Sequence, residues 1–201
     1  MEPYGFIELQ SKPCRFIAVD VETASYDISS ICQIGLAFVS FDNVIQTYST
    51  YVDPCVPFAS GNTQLHGIDA GTVRGAPLFA TLLPQMRAAL EAHPLVQHSK
   101  FDERAFDTAC RLDGLSILKS VWTDSVGVAR KAWPELRGNG GHGLANLKKV
   151  LGLKFRHHDA GEDARAEVAR RGLGAKGIFA GRHPHQRMPP FFSAADALLV
   201  T

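Results

Sequence analysis

Phe16-Ile17-Ala18-Val19-Asp20-Val21-Glu22-Thr23 sets Ile17, Val19 and Val21 in alternation with Ala18, Asp20 and Glu22. A period of two is that of a β-strand. Successive side chains of a strand point to opposite faces, so Asp20 and Glu22 share one face. Two neighbouring carboxylates repel each other and resist joint burial. A hard divalent cation such as Mg²⁺ takes carboxylate oxygens and holds such a pair together. A lone Asp-x-Glu at a strand end reads first as two solvent-facing acids, so the metal reading depends on the rest of the chain.

Working outward, residues 31–40 and 44–52 read as two further strands. Ile34, Leu36, Phe38, Val44, Tyr48 and Val52 supply β-forming side chains, and Asp42-Asn43 marks a tight reversal. Sequential strands joined by short turns are most simply antiparallel. Leu78, Phe79, Leu82, Leu83, Met86, Ala89 and Leu90 then recur at helical spacing, with Pro77 near the start. Leu95 to His98 is a short strand, 101–112 a helix, Val121 to Thr123 another short strand, and roughly 124–132 a helix. After the glycine-rich stretch 138–143, Leu144, Leu147, Val150 and Leu151 form one helical face that Gly152 stops. Asp159-Ala160-Gly161-Glu162 has the spacing of a capping box, so a last helix is expected to about Arg171. Three strands followed by alternating helices and strands predict an α/β fold, a mixed sheet flanked by helices.

Among 201 residues, 45% are hydrophobic and 20% charged, which suits one soluble globular domain. No apolar run reaches membrane-spanning length, and Met1-Glu2-Pro3-Tyr4 lacks the pattern of a secretory signal. Cys14, Cys32, Cys55 and Cys110 are scattered without a Cys-x-x-Cys pair, which fits reduced thiols and a cytoplasmic setting. Cys55 reads as a small packed residue rather than a nucleophile. Charge is unevenly spread. Residues 1–129 hold 8 Lys and Arg against 14 Asp and Glu, whereas residues 130–201 hold 13 against 6. That asymmetry fits a polyanionic partner or a solvated basic face.

Asp102 follows the short strand at 95–98, while His158 and Asp163 flank the start of the last expected helix. Element ends are where a mixed sheet gathers side chains around a cleft. Taken singly, Asp102 is also a helix-entry carboxylate with Ser99 at cap-like spacing, and Asp163 also suits a helix dipole. Taken together, Asp20, Glu22, Asp102 and Asp163 balance the charge of two divalent ions. Such ions, about 3.5–4 Å apart, clamp the attacking and leaving oxygens of phosphodiester hydrolysis. His158, neutral near pH 7, suits a general base. His142 reads as structural or near substrate, His157 as ordinary surface, and His183 and His185 as solvated.

These motifs resemble the DnaQ-like 3′→5′ exonucleases of the DEDDh type, within the ribonuclease H-like fold. The matches are Val19-Asp20-Val21-Glu22-Thr23, His98-Ser99-Lys100-Phe101-Asp102 and His158-x-x-x-x-Asp163, with Leu65-His66-Gly67-Ile68 similar to a segment that contacts the terminal nucleotide. The resemblance implies a domain over 14–171 and leaves 172–201 as an irregular tail. It implies metal ligation by Asp20, Glu22, Asp102 and Asp163 to two Mg²⁺ or Mn²⁺ ions. It also implies general-base work by His158 and substrate contacts by Thr23, His66 and Phe101. Ser99 departs from the asparagine that often follows the motif's histidine.

The expected activity is release of 5′-mononucleotides from DNA 3′ ends, in repair or in proofreading beside a DNA polymerase. An exoribonuclease and a non-catalytic nucleic-acid-binding or polymerase accessory subunit are the alternatives. Arg130, Lys131, Arg137, Lys148, Lys149, Lys154 and Arg156 bracket the glycine loop and suit phosphate contacts with a single strand.

Overall fold

A computed structural model describes residues 4–151. Its order is α1 (Tyr4–Gln10), β1 (Phe16–Thr23), β2 (Ile31–Val39), β3 (Ile45–Tyr51), α2 (Ser60–His66), α3 (Phe79–Ala92), β4 (Leu95–Gln97), α4 (Phe101–Leu112), β5 (Trp122–Asp124), α5 (Ser125–Ala132), a 3-10 turn (Pro134–Leu136) and α6 (Leu144–Leu151). The helix expected from Asp159 lies outside the described residues.

The five strands form one sheet in the order β3-β2-β1-β4-β5. β1 pairs antiparallel with β2, and β2 with β3, while β4 joins β1 and β5 joins β4 in parallel. This is the expected mixed sheet flanked by helices. Asn43 turns the β2–β3 reversal in the left-handed region, at φ 65°, a conformation asparagine tolerates.

The side-chain period sorts β1 into two faces. Ile17, Val19 and Val21 enter the main core with Ile34, Leu36 and Phe38 of β2. Phe6 and Leu9 of α1, Leu83, Met86 and Leu90 of α3, and Phe106 of α4 cover that face. Phe16 and Ala18 of the opposite face join Ala37, Val39 and Val96 in a smaller cluster. Burying such side chains contributes about 1.5–3 kcal/mol each. The α5–α6 segment has a small core of its own, Ala129, Leu136 and Leu147, with Trp133 and Leu151 against it. No helix among the described residues is long and apolar enough to cross a membrane.

Candidate active site

Asp20 and Glu22 lie on one face of β1, where the strand's support changes. The β1–β4 pairing covers only Ile17 and Ala18, because β4 ends at Gln97. Ile17 N–H donates to the Pro94 carbonyl on that flank. By the same parity Val21 N–H points there too, past the end of β4, and it donates to Asp102 Oδ1 at 3.0 Å. The side chain from α4 thus takes the place of a strand and carries Asp102 to the β1 carboxylates.

The start of α4 is fixed from beneath. Its N-cap residue, Lys100, makes no side-chain cap, and the Phe101 N–H to Ser99 Oγ contact is long at 3.4 Å. Gln97, 1% exposed, does the capping instead. Its Oε1 accepts from Glu103 N–H at 2.9 Å, and its Nε2 donates to Glu103 Oε2 at 3.1 Å. This reciprocal pair satisfies a first-turn donor as a capping box does. Ser99 occupies the left-handed region at φ 88°. Its N–H donates to Asp124 Oδ1 at 3.1 Å, and the same oxygen caps α5 through Val126 N–H at 2.9 Å.

His98 ties the sheet to the α5–α6 segment. Its Nε2 lies 2.9 Å from the His142 carbonyl and its Nδ1 lies 2.9 Å from Ser125 Oγ. A carbonyl only accepts, so Nε2 carries the proton and, in the neutral ring, Nδ1 accepts the Ser125 hydroxyl. His142 Nε2 in turn donates to the Trp133 carbonyl at 2.8 Å. The glycine loop is compact at this point. Asn146 donates to the Asn139 and Gly141 carbonyls, and Gly140, at φ 79°, sits so close to the Asn146 side chain that a Cβ there would clash.

On the other wall, Asn62 Nδ2 donates to the carbonyls of Thr23 and Ser25 at 2.9 and 3.2 Å. His66 Nε2 donates to the Thr23 carbonyl at 3.1 Å, while its Nδ1 accepts Ile68 N–H at 3.0 Å. Both contacts require the neutral ring, and burial holds its pKa below the usual histidine value. On β2, packed with Ala24, Ile68 and Val73, the Cys32 thiol is pushed up to about 12 by burial and then by the charge of Glu22, which leaves it protonated and inert.

Asp20, Glu22, Thr23, Phe101 and Asp102 all line one open cleft of about 590 Å³, with His98, Ser99 and Leu144. That volume suits a nucleotide-sized ligand. Glu22 and Asp102 are buried, at 8% and 4% exposure, and Asp20 is half-buried. Tyr26, Leu65 and Phe101 form an exposed apolar rim. His66 is buried behind Thr23 rather than on this lining, so its place is that of a support for the Thr23 backbone. His158 and Asp163 lie outside the described residues.

Among the described residues no three His, Cys, Asp or Glu side chains come together closely enough to hold a metal ion by themselves. The donors that meet at the cleft are nonetheless hard carboxylate oxygens, two of the three buried. That set fits Mg²⁺ or Mn²⁺ in kind and does not fit a soft metal. Sequence reading named these carboxylates but did not single out Gln97, Glu103, Asp124, Ser125, Asn62 and Tyr26. Their partners are set by tertiary folding, and no local spacing announces them.

A family model described as Exonuclease, of RNase T type, matches residues 17–169. The PolC-type DNA polymerase III of Caldanaerobacter subterraneus subsp. tengcongensis is 30% identical over 156 residues, which make up 76% of this chain and 11% of that polymerase. The chain spans about a tenth of the length of the curated relatives it matches. Escherichia coli exonuclease I in complex with a dT13 oligonucleotide superposes with a TM-score of 0.70 at 16% identity, covering 90% of this chain and 43% of that one. The nuclease domain of 3′hExo, a DEDDh family member bound to rAMP, superposes with a TM-score of 0.61 at 18% identity, covering 79% and 90%. At these identities the two superpositions speak for the fold.

Proposed function

Because the chain belongs to the RNase T type, DnaQ-like exonuclease family, we propose that it is a metal-dependent 3′→5′ exonuclease of single-stranded DNA ends. The observation that carries this reading is the meeting of Asp20, Glu22 and Asp102 on one cleft with an exposed apolar rim. A nuclease needs cation-holding carboxylates beside a place where an unpaired base can lie. Tyr26, Leu65 and Phe101 are suited to stacking on or packing against such a base.

Asp20, Glu22, Asp102 and Asp163 would hold two Mg²⁺ or Mn²⁺ ions, which supply positive charge to the phosphate oxygens. His158 takes the proton of the attacking water on a ring nitrogen. The water oxygen bonds to phosphorus, the bond to the 3′-oxygen breaks, and that oxygen takes a proton from solvent. A 5′-mononucleotide leaves. Asp102 also holds the β1 backbone through Val21 N–H, so one side chain both locates the strand and faces the cleft. Thr23 lines the substrate side, and His66 acts through the Thr23 carbonyl. The kinship to PolC-type polymerases supports proofreading or repair as the setting.

An RNA 3′ end is the second reading, supported by the rAMP held in the 3′hExo fold neighbour. The test is the full chain with 5′-labelled DNA and RNA oligonucleotides, in Mg²⁺, Mn²⁺ or EDTA. The expected result is a ladder shortening from the 3′ end, mononucleotide products, and no reaction in EDTA. Internal cleavage, digestion from the 5′ end, or full-length substrate in every metal overturns the proposal. RNA shortened faster than DNA puts the second reading first.

A further inference from the structure

The described residues carry charge of opposite sign in two places. Residues 4–124, the sheet and its helices, hold 13 Asp and Glu against 8 Lys and Arg, a balance of −5. Residues 125–151, the α5–α6 segment, hold five Lys and Arg against Glu135 alone, a balance of +4. Arg130, Lys131, Arg137 and Lys149 of that segment are exposed. A phosphate backbone approaching the cleft meets three carboxylates and a negative body, so its attraction has to come from elsewhere. Bound cations answer for the phosphate at the reacting end only.

The α5–α6 segment is placed to answer for the rest. Leu144, the first residue of α6, lines the cleft. Lys149 follows five residues later, about 7.5 Å along the helix axis and about 140° round it, on the exposed side of α6. Ser125, the first residue of α5, meets the cleft-lining His98, and Arg130 and Lys131 follow five and six residues on, about 7.5–9 Å along. Exposed charges act over about a Debye length, about 8 Å at physiological salt, so neighbouring cations on these two helices act together on a nearby polyanion. His98 and Asp124 tie the segment to the ends of β4 and β5, through Ser125 and the His142 carbonyl and through Val126 N–H.

Resting on the nuclease reading above, we infer that the α5–α6 segment is the seat of the substrate backbone 5′ to the terminal nucleotides. It grips phosphates without reading sequence. Arg130, Lys131 and Lys149 are the residues that set this grip. A strand of several nucleotides gains from it, and a substrate with a single phosphodiester gains nothing.

The experiment compares the full chain with the triple variant R130Q/K131Q/K149Q. A control, R74Q/R111Q/K119Q, removes the same charge from exposed sites on the sheet-and-helix body. Binding of a fluorescent 20-nucleotide poly(dT) is followed in EDTA across salt concentration, so that it is read without hydrolysis. Hydrolysis is measured on the same strand and on the p-nitrophenyl ester of thymidine 5′-monophosphate, with thermal melting to verify folding.

The expected result is roughly tenfold weaker binding by the triple variant at low salt, with a log–log salt slope shallower by about 2, at about 0.7 per lost contact. Its kcat/KM on the nitrophenyl ester stays within about twofold of the parent, and the control binds like the parent. Parent-like binding and slope in the triple variant, an equal loss in the control, or an equal loss on the nitrophenyl ester overturns the inference. A parent that binds the strand with the expected slope and hydrolyses neither substrate sinks the nuclease reading and leaves the seat standing.

Discussion

The two faces of β1 make opposite uses of the same backbone. Ile17, Val19 and Val21 sit at 0–5% exposure in the core beneath α1, α3 and α4. On the other face Phe16 and Ala18 are equally buried, and then Asp20 and Glu22 take over where β4 ends and α4 delivers Asp102. The first face is an apolar surface whose contribution is additive and local. The second is charged where β4 no longer pairs with β1, so its order depends on hydrogen bonds from outside the strand. Substitution on the core face is expected to act on stability, and substitution on the cleft face on chemistry.

The sharpest contrast comes from the cleft. Asp20→Asn and Asp102→Asn keep side-chain shape, and in the second variant the new amide retains an oxygen for the Val21 N–H. Each is expected to lower kcat/KM on a DNA 3′ end at least 10³-fold, about 4 kcal/mol of transition-state stabilisation. The melting temperature stays equal or rises, because a like charge is removed. Steady-state hydrolysis and a thermal melt check both halves. The core face should answer in reverse. Phe106 is 1% exposed and packs edge-on against Phe79 and tilted against Trp122. Phe106→Ala is expected to cost about 3–5 kcal/mol in urea denaturation, with hydrolysis per folded molecule little changed.

Gln97 stands between the two regimes, a buried polar group serving the cleft from the core. Gln97→Leu leaves Glu103 N–H without its cap and is expected to cost about 1–3 kcal/mol. Unlike Phe106→Ala, it is also expected to lower kcat, since the first turn of α4 carries Asp102. Gln97→Glu keeps an acceptor for that N–H, and recovery of part of the stability but not the Glu103 side-chain contact checks the assignment. The smallest effect concerns pH. His66 has a depressed pKa in the folded chain, so the unfolded chain binds more protons. Stability is therefore complete above the unfolded value near 6.5 and is lost as pH falls toward and through the folded value. His66→Gln is expected to flatten that fall, as seen in melts from pH 7.5 to 5.

How much of this was legible follows from the range of the forces involved. β1, β2 and β3 declare themselves by alternation and by Asp42-Asn43, and α3, α4 and α6 by apolar spacing. Asp20 and Glu22 were readable because the period of a strand fixes their common face. Two helices were not readable. α2 spells Ser-Gly-Asn-Thr-Gln-Leu-His, has no side-chain N-cap, and is tied down by Asn62 and His66 reaching Thr23 and Ser25. α1 is seven residues long and owes its burial to Phe6 meeting Phe38 and Tyr48 across the fold, with Leu9 in the same core. His98 stood within a quoted motif, yet its bridge to Ser125 and His142 spans 27 and 44 residues. No window along the chain contains such a contact.

The proposed chemistry stands on uptake of divalent cations by the β1 carboxylates and Asp102 in the cleft. Calorimetric titration of Mn²⁺ into the full chain, and into Asp20→Asn and Asp102→Asn, tests it most directly. Saturable uptake by the parent is expected, with at least tenfold weaker uptake by each variant and melting temperatures no lower than the parent's. Equal Mn²⁺ uptake in all three proteins, or none in a folded parent, contradicts it.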